Sequence, residues 1–321
     1  MAKQTWSLSL ILQLLLFFAS SSWAQNPPTP ECHHPQWFHE TLYEGWGQVL
    51  KIDQVLHHET SYGQELIVFK NSKLGTVLAL DGVVQVTDAD EYPYSEMLSH
   101  VPILAHGKVK KVLIVGGGDG AILREVVKHR GITDITMAEI DPSVIEMSKT
   151  HFPNLSQGAF HDPRFHLEIG DAALFVKTSS EKFDIIISDS TDPHGPGEVL
   201  FTQEFYENCK KRLNPGGILV TQNGVPYMQP EELKNTYSRQ KSVFKDNGFY
   251  FVPVPSYVGG AMALSWATDN PSLRKISLKT LNKRFQEAQI TTQYYTPEVH
   301  RASFAVPKFV QNLMQEKALD P

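Results

Sequence analysis

Between Trp37 and about Asp90 the apolar positions come in short runs broken by turn residues. Residues 48–55, 66–70, 76–80 and 83–86 are rich in Val, Ile and Leu, and Ser61-Tyr62-Gly63, Asn71-Ser72-Lys73 and Asp81-Gly82 punctuate them. That rhythm predicts a small antiparallel sheet, an N-terminal β domain over 37–90. After a helix expected near 91–100 the pattern lengthens. Residues 111–115 form an apolar run of strand length, leading through Gly116-Gly117-Gly118-Asp119-Gly120 into a helical stretch at 121–129. Further strands are expected at 134–140, 165–169, 183–188 and 218–221, with a helix at 142–149. Strands alternating with helices, apolar along their length, imply a parallel sheet covered on both faces. Residues 250–254 and 262–268, separated by Tyr257-Val258-Gly259-Gly260, suit an antiparallel hairpin at the sheet edge. The expected fold class is α/β: a Rossmann-like methyltransferase core over 91–321 with a parallel sheet and an antiparallel edge hairpin, preceded by the small β domain.

Residues 1–24 stand apart. Lys3 precedes an apolar stretch at 8–19, and the segment ends Ser22-Trp23-Ala24 before Gln25. A basic start, a short apolar middle and a small-residue end form the pattern of a secretory signal peptide. Export to a periplasmic or extracellular location is therefore expected. Residues 25–36 contain Pro27-Pro28-Thr29-Pro30, which suits a stiff linker. No apolar run reaches the roughly 20 residues of a spanning helix. The 321 residues carry 29 basic and 35 acidic side chains, a formal net charge of −6, with no Lys/Arg block. That balance argues against gripping nucleic acid. Two cysteines, Cys32 and Cys209, exclude a disulfide scaffold. Cys32-His33-His34 and His57-His58 lack metal-ligand spacing, and no metal is expected.

In open parallel sheets ligands bind beyond the carboxyl ends of the strands. Here those ends are acidic: Asp119 lies in the first glycine loop, Glu139 ends the second strand, Asp171 follows the third, and Asp189 and Asp192 follow the fourth. Carboxylates converging on one crevice repel and resist ionisation, so a cationic ligand is the economical reason to assemble them. Gly116, Gly118 and Ala121 also match G-x-G-x-x-A, with Glu139 about 20 residues on, as in dinucleotide sites. Asp119 separates the alternatives. A dinucleotide lays its pyrophosphate against such a loop, where a carboxylate adds repulsion. A nucleoside bearing positive charge on its 5′ side is attracted instead, which favours a sulfonium of the S-adenosylmethionine type. If Asp119 faces the ligand's tail, it favours the decarboxylated form, whose tail carries only an ammonium.

The chain resembles the polyamine aminopropyltransferases, specifically the bacterial spermidine synthases. The matching segments are LDGVVQVT at 80–87, VGGGDGAILREV at 115–126, EID at 139–141, SDSTDP at 188–193, GPGE at 195–198, PSYVGG at 255–260 and HRASF at 300–304. The resemblance runs from about Trp37 to the C-terminus. It implies transfer of an aminopropyl group from decarboxylated S-adenosylmethionine to a diamine, usually putrescine, giving spermidine and methylthioadenosine. The donor is then a co-substrate, no cofactor is tightly bound, the partners are the two small molecules, and the assembly is a homodimer or homotetramer. In this family pattern Asp189 accepts the amine proton and Asp192 holds the diamine. Asp119 meets the donor's aminopropyl ammonium and Glu139 its ribose. Asp171 and Ala172 contact the adenine, Gln64 the nucleoside or tail, and Pro196 lies in the loop beside the nucleoside. Tyr94, Tyr257 and Gln85 line the acceptor channel. Ser95 stands where many bacterial members have His, so the acceptor fit there is expected to be altered. Competing readings are an amine methyltransferase using intact S-adenosylmethionine and a non-catalytic exported polyamine-binding protein; the family's usual location is cytoplasmic.

Overall fold

Antiparallel strands open the described part of the chain. The computed structural model describes residues 36–316 apart from Tyr62 and His194, and apart from the side chains of Ser61 and Pro196. The expected signal segment, the linker up to Pro35 and Cys32 therefore lie outside the described residues. β1 (Gln36–His39) and β2 (Val49–Ile52) form a two-stranded sheet. β3 (Gln54–Ser61), β4 (Gln64–Asn71), β5 (Gly75–Leu80) and β6 (Val83–Thr87) form a four-stranded antiparallel meander. The single run expected at 48–55 is cut at Asp53, because β2 and β3 belong to different sheets. Asp81 and Gly82 both adopt positive φ, 49° and 76°, while Leu80 pairs with Val83. This is the two-residue hairpin turn whose twist matches its strands.

α1 (Glu91–His106) runs past the end expected for it. Pro102 reads as a breaker, yet Val101, Ile103, Leu104 and Ala105 are all buried, and Gly107 closes the helix by donating to the Ile103 carbonyl. Then follow β7 (Lys111–Gly116), α2 (Ala121–Val127), β8 (Asp134–Glu139), α3 (Pro142–His151), β9 (Phe165–Ile169) and α4 (Ala172–Thr178). The second half comprises β10 (Phe183–Asp189), α5 (Gln203–Arg212), β11 (Leu213–Gln222), α6 (Pro230–Val243), β12 (Asp246–Pro253) and β13 (Ala261–Thr268).

These seven strands form one sheet in the order β12-β13-β11-β10-β7-β8-β9. It is parallel from β11 to β9, and β13 runs antiparallel to β11 and β12 as the edge hairpin. The period of two along each central strand divides the core into two layers. Val112, Ile114, Ile185, Ile187, Ile218 and Val220 pack with Leu98 and Val101 of α1. Leu113, Val115, Phe183, Ile186 and Leu219 pack on the other face with Phe205 and Tyr206 of α5. β9 departs from the expectation of cover on both faces: it is the edge strand, and His166, Leu167, Glu168 and Ile169 are all exposed. A third cluster joins Leu66, Val68, Leu78 and Val86 of the meander to Ala121, Met147 and Phe152. The described residues from Trp37 onward consequently pack as one compact unit. Among the described residues no helix is long and apolar enough to cross a membrane.

The chain proceeds from β7 outward through β8 to β9, then returns to lay β10 on the other flank of β7. Loops leaving β7 and β10 diverge at that reversal and open a crevice at the carboxyl ends of the strands.

Candidate active site

The two strand ends that frame the crevice touch through backbone alone. Asp189 is paired with Gly116, and the Gly117 N–H donates to the Asp189 carbonyl at 3.2 Å. Gly116 has φ of 75°, and a Cβ there would lie 2.0 Å from the Asp189 carbonyl oxygen. Only glycine permits both that conformation and that approach. On this side of the crevice, Asp119 accepts the Ala121 N–H at 2.8 Å. Glu139, buried at the end of β8, accepts from Gly118 N–H at 3.2 Å and Asp141 N–H at 3.0 Å. Asp171 caps α4 through Oδ1, accepting from Ala173 at 2.8 Å and Leu174 at 3.3 Å, and Ala172 is buried beside it.

The other side draws on distant segments. Tyr94 donates to Asp189 Oδ1 at 2.5 Å, and its ring meets Tyr257 edge-on at 6.1 Å. The Tyr257 hydroxyl donates to the main-chain carbonyl of Gln85, whose own amide donates to the Val83 carbonyl. Asp192 accepts from Gln229 Nε2 at 2.9 Å. Gln229 Oε1 in turn accepts from Tyr43 Oη at 3.1 Å and Val225 N–H at 2.8 Å. Glu40 and Glu232 stand close by, and Glu40 Oε2 and Glu232 Oε1 are buried with no hydrogen-bond partner among the described residues. Ser95 reaches the crevice wall, but its hydroxyl donates to Glu91 Oε2 at 2.7 Å. Glu91 also grips Arg124 through two bonds of 2.9 Å.

Gln64, Gln85, Tyr94, Ser95, Asp119, Glu139, Asp171, Ala172, Asp189, Asp192 and Tyr257 thus line a single crevice. Pro196 lies on the short 3-10 helical segment Gly195–Phe201, of which Gly197, Val199 and Leu200 line the same crevice. Its non-atom space, open mouth included, is about 1690 Å³. Sequence reasoning missed Tyr43, Glu40, Gln229 and Glu232. Glu232 falls in the first turn of α6 behind Pro230, where an acid is ordinary. The other three belong to no local pattern. Among the described residues no group of three or more His, Cys, Asp or Glu side chains is arranged to hold a metal.

The carboxyls of the crevice resist ionisation. Burial raises the Asp119 carboxyl above the ordinary aspartate range, and repulsion from Asp189 and Glu91 raises it further. Burial likewise raises Asp189, opposed by the Tyr94 hydroxyl. Glu139 is raised by burial against the backbone donors that hold it. At the far end, burial and then Asp192 push Glu232 well up, and burial raises Glu40. Burial, followed by the Asp189 charge, holds Tyr94 and Tyr257 protonated far above neutrality. Folded carboxyls raised in this way favour the protonated protein, so their contribution to stability declines as pH rises through the raised range. A bound cation reverses that cost.

The chain is similar to known proteins over most of its length. The chain matches the spermidine synthase tetramerisation domain over residues 36–88 and the spermine/spermidine synthase domain over 91–280. It is 53% identical over 273 residues to polyamine aminopropyltransferase 1 of Pseudomonas aeruginosa, covering 85% of this chain and 96% of the relative. A polyamine aminopropyltransferase of Pseudomonas syringae pv. tomato is 52% identical over 283 residues, covering 88% of this chain and 99% of the relative. A spermidine synthase crystallised with the transition state analogue AdoDATO superposes with a TM-score of 0.82 at 35% identity, covering 91% of this chain and 98% of that one. The Thermotoga maritima spermidine synthase gives a TM-score of 0.80 at 33% identity, covering 91% and 97%. Half-identity along nearly the full length of such relatives goes beyond a shared fold: the chain belongs to the spermine/spermidine synthase family and is an aminopropyltransferase.

Proposed function

We propose that the protein transfers the aminopropyl group of decarboxylated S-adenosylmethionine to putrescine, making spermidine and releasing methylthioadenosine. The observation that carries this reading is the position of Asp189 at the end of β10, lining one crevice together with Asp119 and Asp192, with the Tyr94 hydroxyl donating to one of its oxygens. Glu139 holds the ribose, Asp171 and Ala172 border the adenine, Gln64 and the Pro196 segment close over the nucleoside, and Asp119 meets the donor's tail ammonium. The diamine lies along Tyr94, Tyr257 and Gln85. Its far ammonium reaches Asp192, Glu40 and Glu232. Ring faces attract an alkylammonium by about 0.5–2 kcal/mol.

The attacking nitrogen must be neutral. An alkylamine with pKa near 10.4 and an ordinary aspartate near 3.9 differ by about 9 kcal/mol as proton partners. Burial of Asp189 narrows that gap. Asp189 orients the amine, and takes its proton as the C–N bond forms. The C–S bond breaks at the same carbon, and sulfur leaves with the electron pair as a neutral thioether. In the test, the protein is incubated with decarboxylated donor and a panel of putrescine, cadaverine, agmatine and spermidine. Methylthioadenosine release fastest with putrescine is expected. Preference for another amine contradicts the acceptor assignment, and S-adenosylhomocysteine formation from the intact sulfonium contradicts the reaction.

The proposal includes self-association as a homotetramer. Trp37, Trp46, Val49 and Val55, all in the segment matching the tetramerisation domain, expose apolar surface that burial between subunits would stabilise. Sedimentation at micromolar concentration tests it, and a monomer refutes it. Export through residues 1–24 rests on their residue pattern alone; cell fractionation decides between an exported and a cytoplasmic protein.

A further inference from the structure

Asp90 occupies the N-cap of α1, where an aspartate ordinarily accepts a hydrogen bond from the first turn. It makes no such bond. Its carboxylate turns away and binds a segment 166 residues distant. Oδ2 accepts the Ser256 N–H at 2.6 Å, and Oδ1 accepts the Ser256 hydroxyl at 3.1 Å and the Thr87 hydroxyl at 2.6 Å. The remaining polar group of Ser256, its carbonyl, accepts from Gln48 Nε2 at 2.6 Å. Every polar group of Ser256 is therefore held by residues of the N-terminal third of the chain. A residue that abandons its local role for a distant one marks a place where the fold serves a site.

The next residue is Tyr257. Its hydroxyl is tied to the Gln85 carbonyl, and its ring stands edge-on to Tyr94, which donates to Asp189. We propose that Asp90 is a positioning residue for the acceptor amine: by fixing Ser256 it sets Tyr257, and through Tyr257 the wall along which the diamine approaches Asp189. This rests on the aminopropyl-transfer reading above. Asp90 also borders the crevice itself, so direct contact with the diamine is the competing role, and the test separates the two.

Initial rates of methylthioadenosine release are measured against putrescine at saturating donor, with donor affinity read separately by titration calorimetry. Asp90→Asn leaves one acceptor oxygen where the carboxylate used two, so either the Ser256 N–H or the Thr87 and Ser256 hydroxyls lose their charged acceptor. It is expected to raise KM for putrescine about tenfold, the scale of a lost charge-assisted hydrogen bond, with donor Kd unchanged within about twofold. In a Tyr257→Ala background the same substitution is expected to add less than about twofold, because residues acting through one another are non-additive. An unchanged KM for Asp90→Asn, an equal loss of donor affinity, or a full tenfold effect persisting without Tyr257 would each overturn the proposal. Should Asp90→Asn fail to fold, Ser256→Ala serves the same cycle. It keeps the backbone bond and is expected to raise KM about threefold only when Tyr257 is present; no change, or the same change without Tyr257, overturns the proposal equally. A wild-type protein that releases no methylthioadenosine with any diamine refutes the underlying reading, and the role of Asp90 falls with it.

Discussion

The two sides of the crevice are built differently. The side carrying Asp119, Glu139 and Asp171 comes from consecutive strand ends of one parallel sheet, within little more than fifty residues. Its acids are held by backbone N–H groups: Ala121 on Asp119, Gly118 and Asp141 on Glu139, Ala173 and Leu174 on Asp171. The side carrying Asp192 gathers Tyr43, Gln85, Tyr94, Gln229 and Tyr257 from segments scattered over the chain. Its polar groups are held partly by other side chains, as in the Tyr43–Gln229–Asp192 relay, and partly by main-chain groups contributed by distant segments, as where Tyr257 donates to the Gln85 carbonyl. Backbone donors fixed by a sheet make a site that changes little with sequence. Side-chain relays can be retuned one residue at a time, which suits the side proposed to select among amines differing by a methylene or a charge.

Asp189 stands where the sides meet, so its loss should cost most. Asp189→Asn is expected to lower turnover by about 10³-fold or more, with donor affinity retained, when methylthioadenosine release and calorimetric binding are compared. Loss of donor binding in parallel would mean the two sides are not separable. Gly116→Ala follows. A Cβ set 2.0 Å from the Asp189 carbonyl must push the two strand ends apart, and a displacement of that kind costs about 10²-fold in turnover. Normal turnover would show that the close approach is dispensable.

Asp119→Asn sharpens the comparison from the donor side. Donor affinity should fall about 10- to 50-fold, and preference for the decarboxylated over the intact sulfonium should shrink, while KM for putrescine stays constant. On the opposite side Gln229→Ala should raise KM for putrescine about fivefold without touching donor affinity. If both substitutions weakened both ligands equally, the division into two sides would be wrong.

The same contrast decides which parts of the molecule are legible in the sequence. The donor side is legible because a parallel sheet delivers residues to one edge in chain order, so a glycine loop bearing Asp119 and two acidic strand ends, Glu139 and Asp171, suffice to locate it. The sheet itself is legible for the same reason, apart from its ends: β9 is exposed at the edge, and α1 continues through Pro102 because burial outweighs the local breaker. On the acceptor side only Asp192 is legible from its place after a strand; family likeness supplies Tyr94, Gln85 and Tyr257. Glu40, Tyr43 and Gln229 have no periodic or motif signal, since what unites them is long-range packing of the meander region onto the sheet. Ser95 shows the limit of likeness as well: it lies where expected, yet its hydroxyl serves the Glu91–Arg124 pair.

The central physical claim is that burial, and for Asp119 the neighbouring Asp189 as well, keeps the crevice carboxyls from ionising freely, and that cationic substrates relieve them. Burial makes Asp119 and Asp189 bind protons more tightly than free aspartate does. A cation favours the ionised form, so binding expels protons and affinity rises with pH through the raised range. The direct measurement is calorimetric titration of decarboxylated donor in buffers of different ionisation enthalpy, at pH 6, 7 and 8. Net proton release, affinity tightening with pH, and loss of both in Asp119→Asn are predicted; zero proton exchange with the same affinity at all three pH values would contradict it.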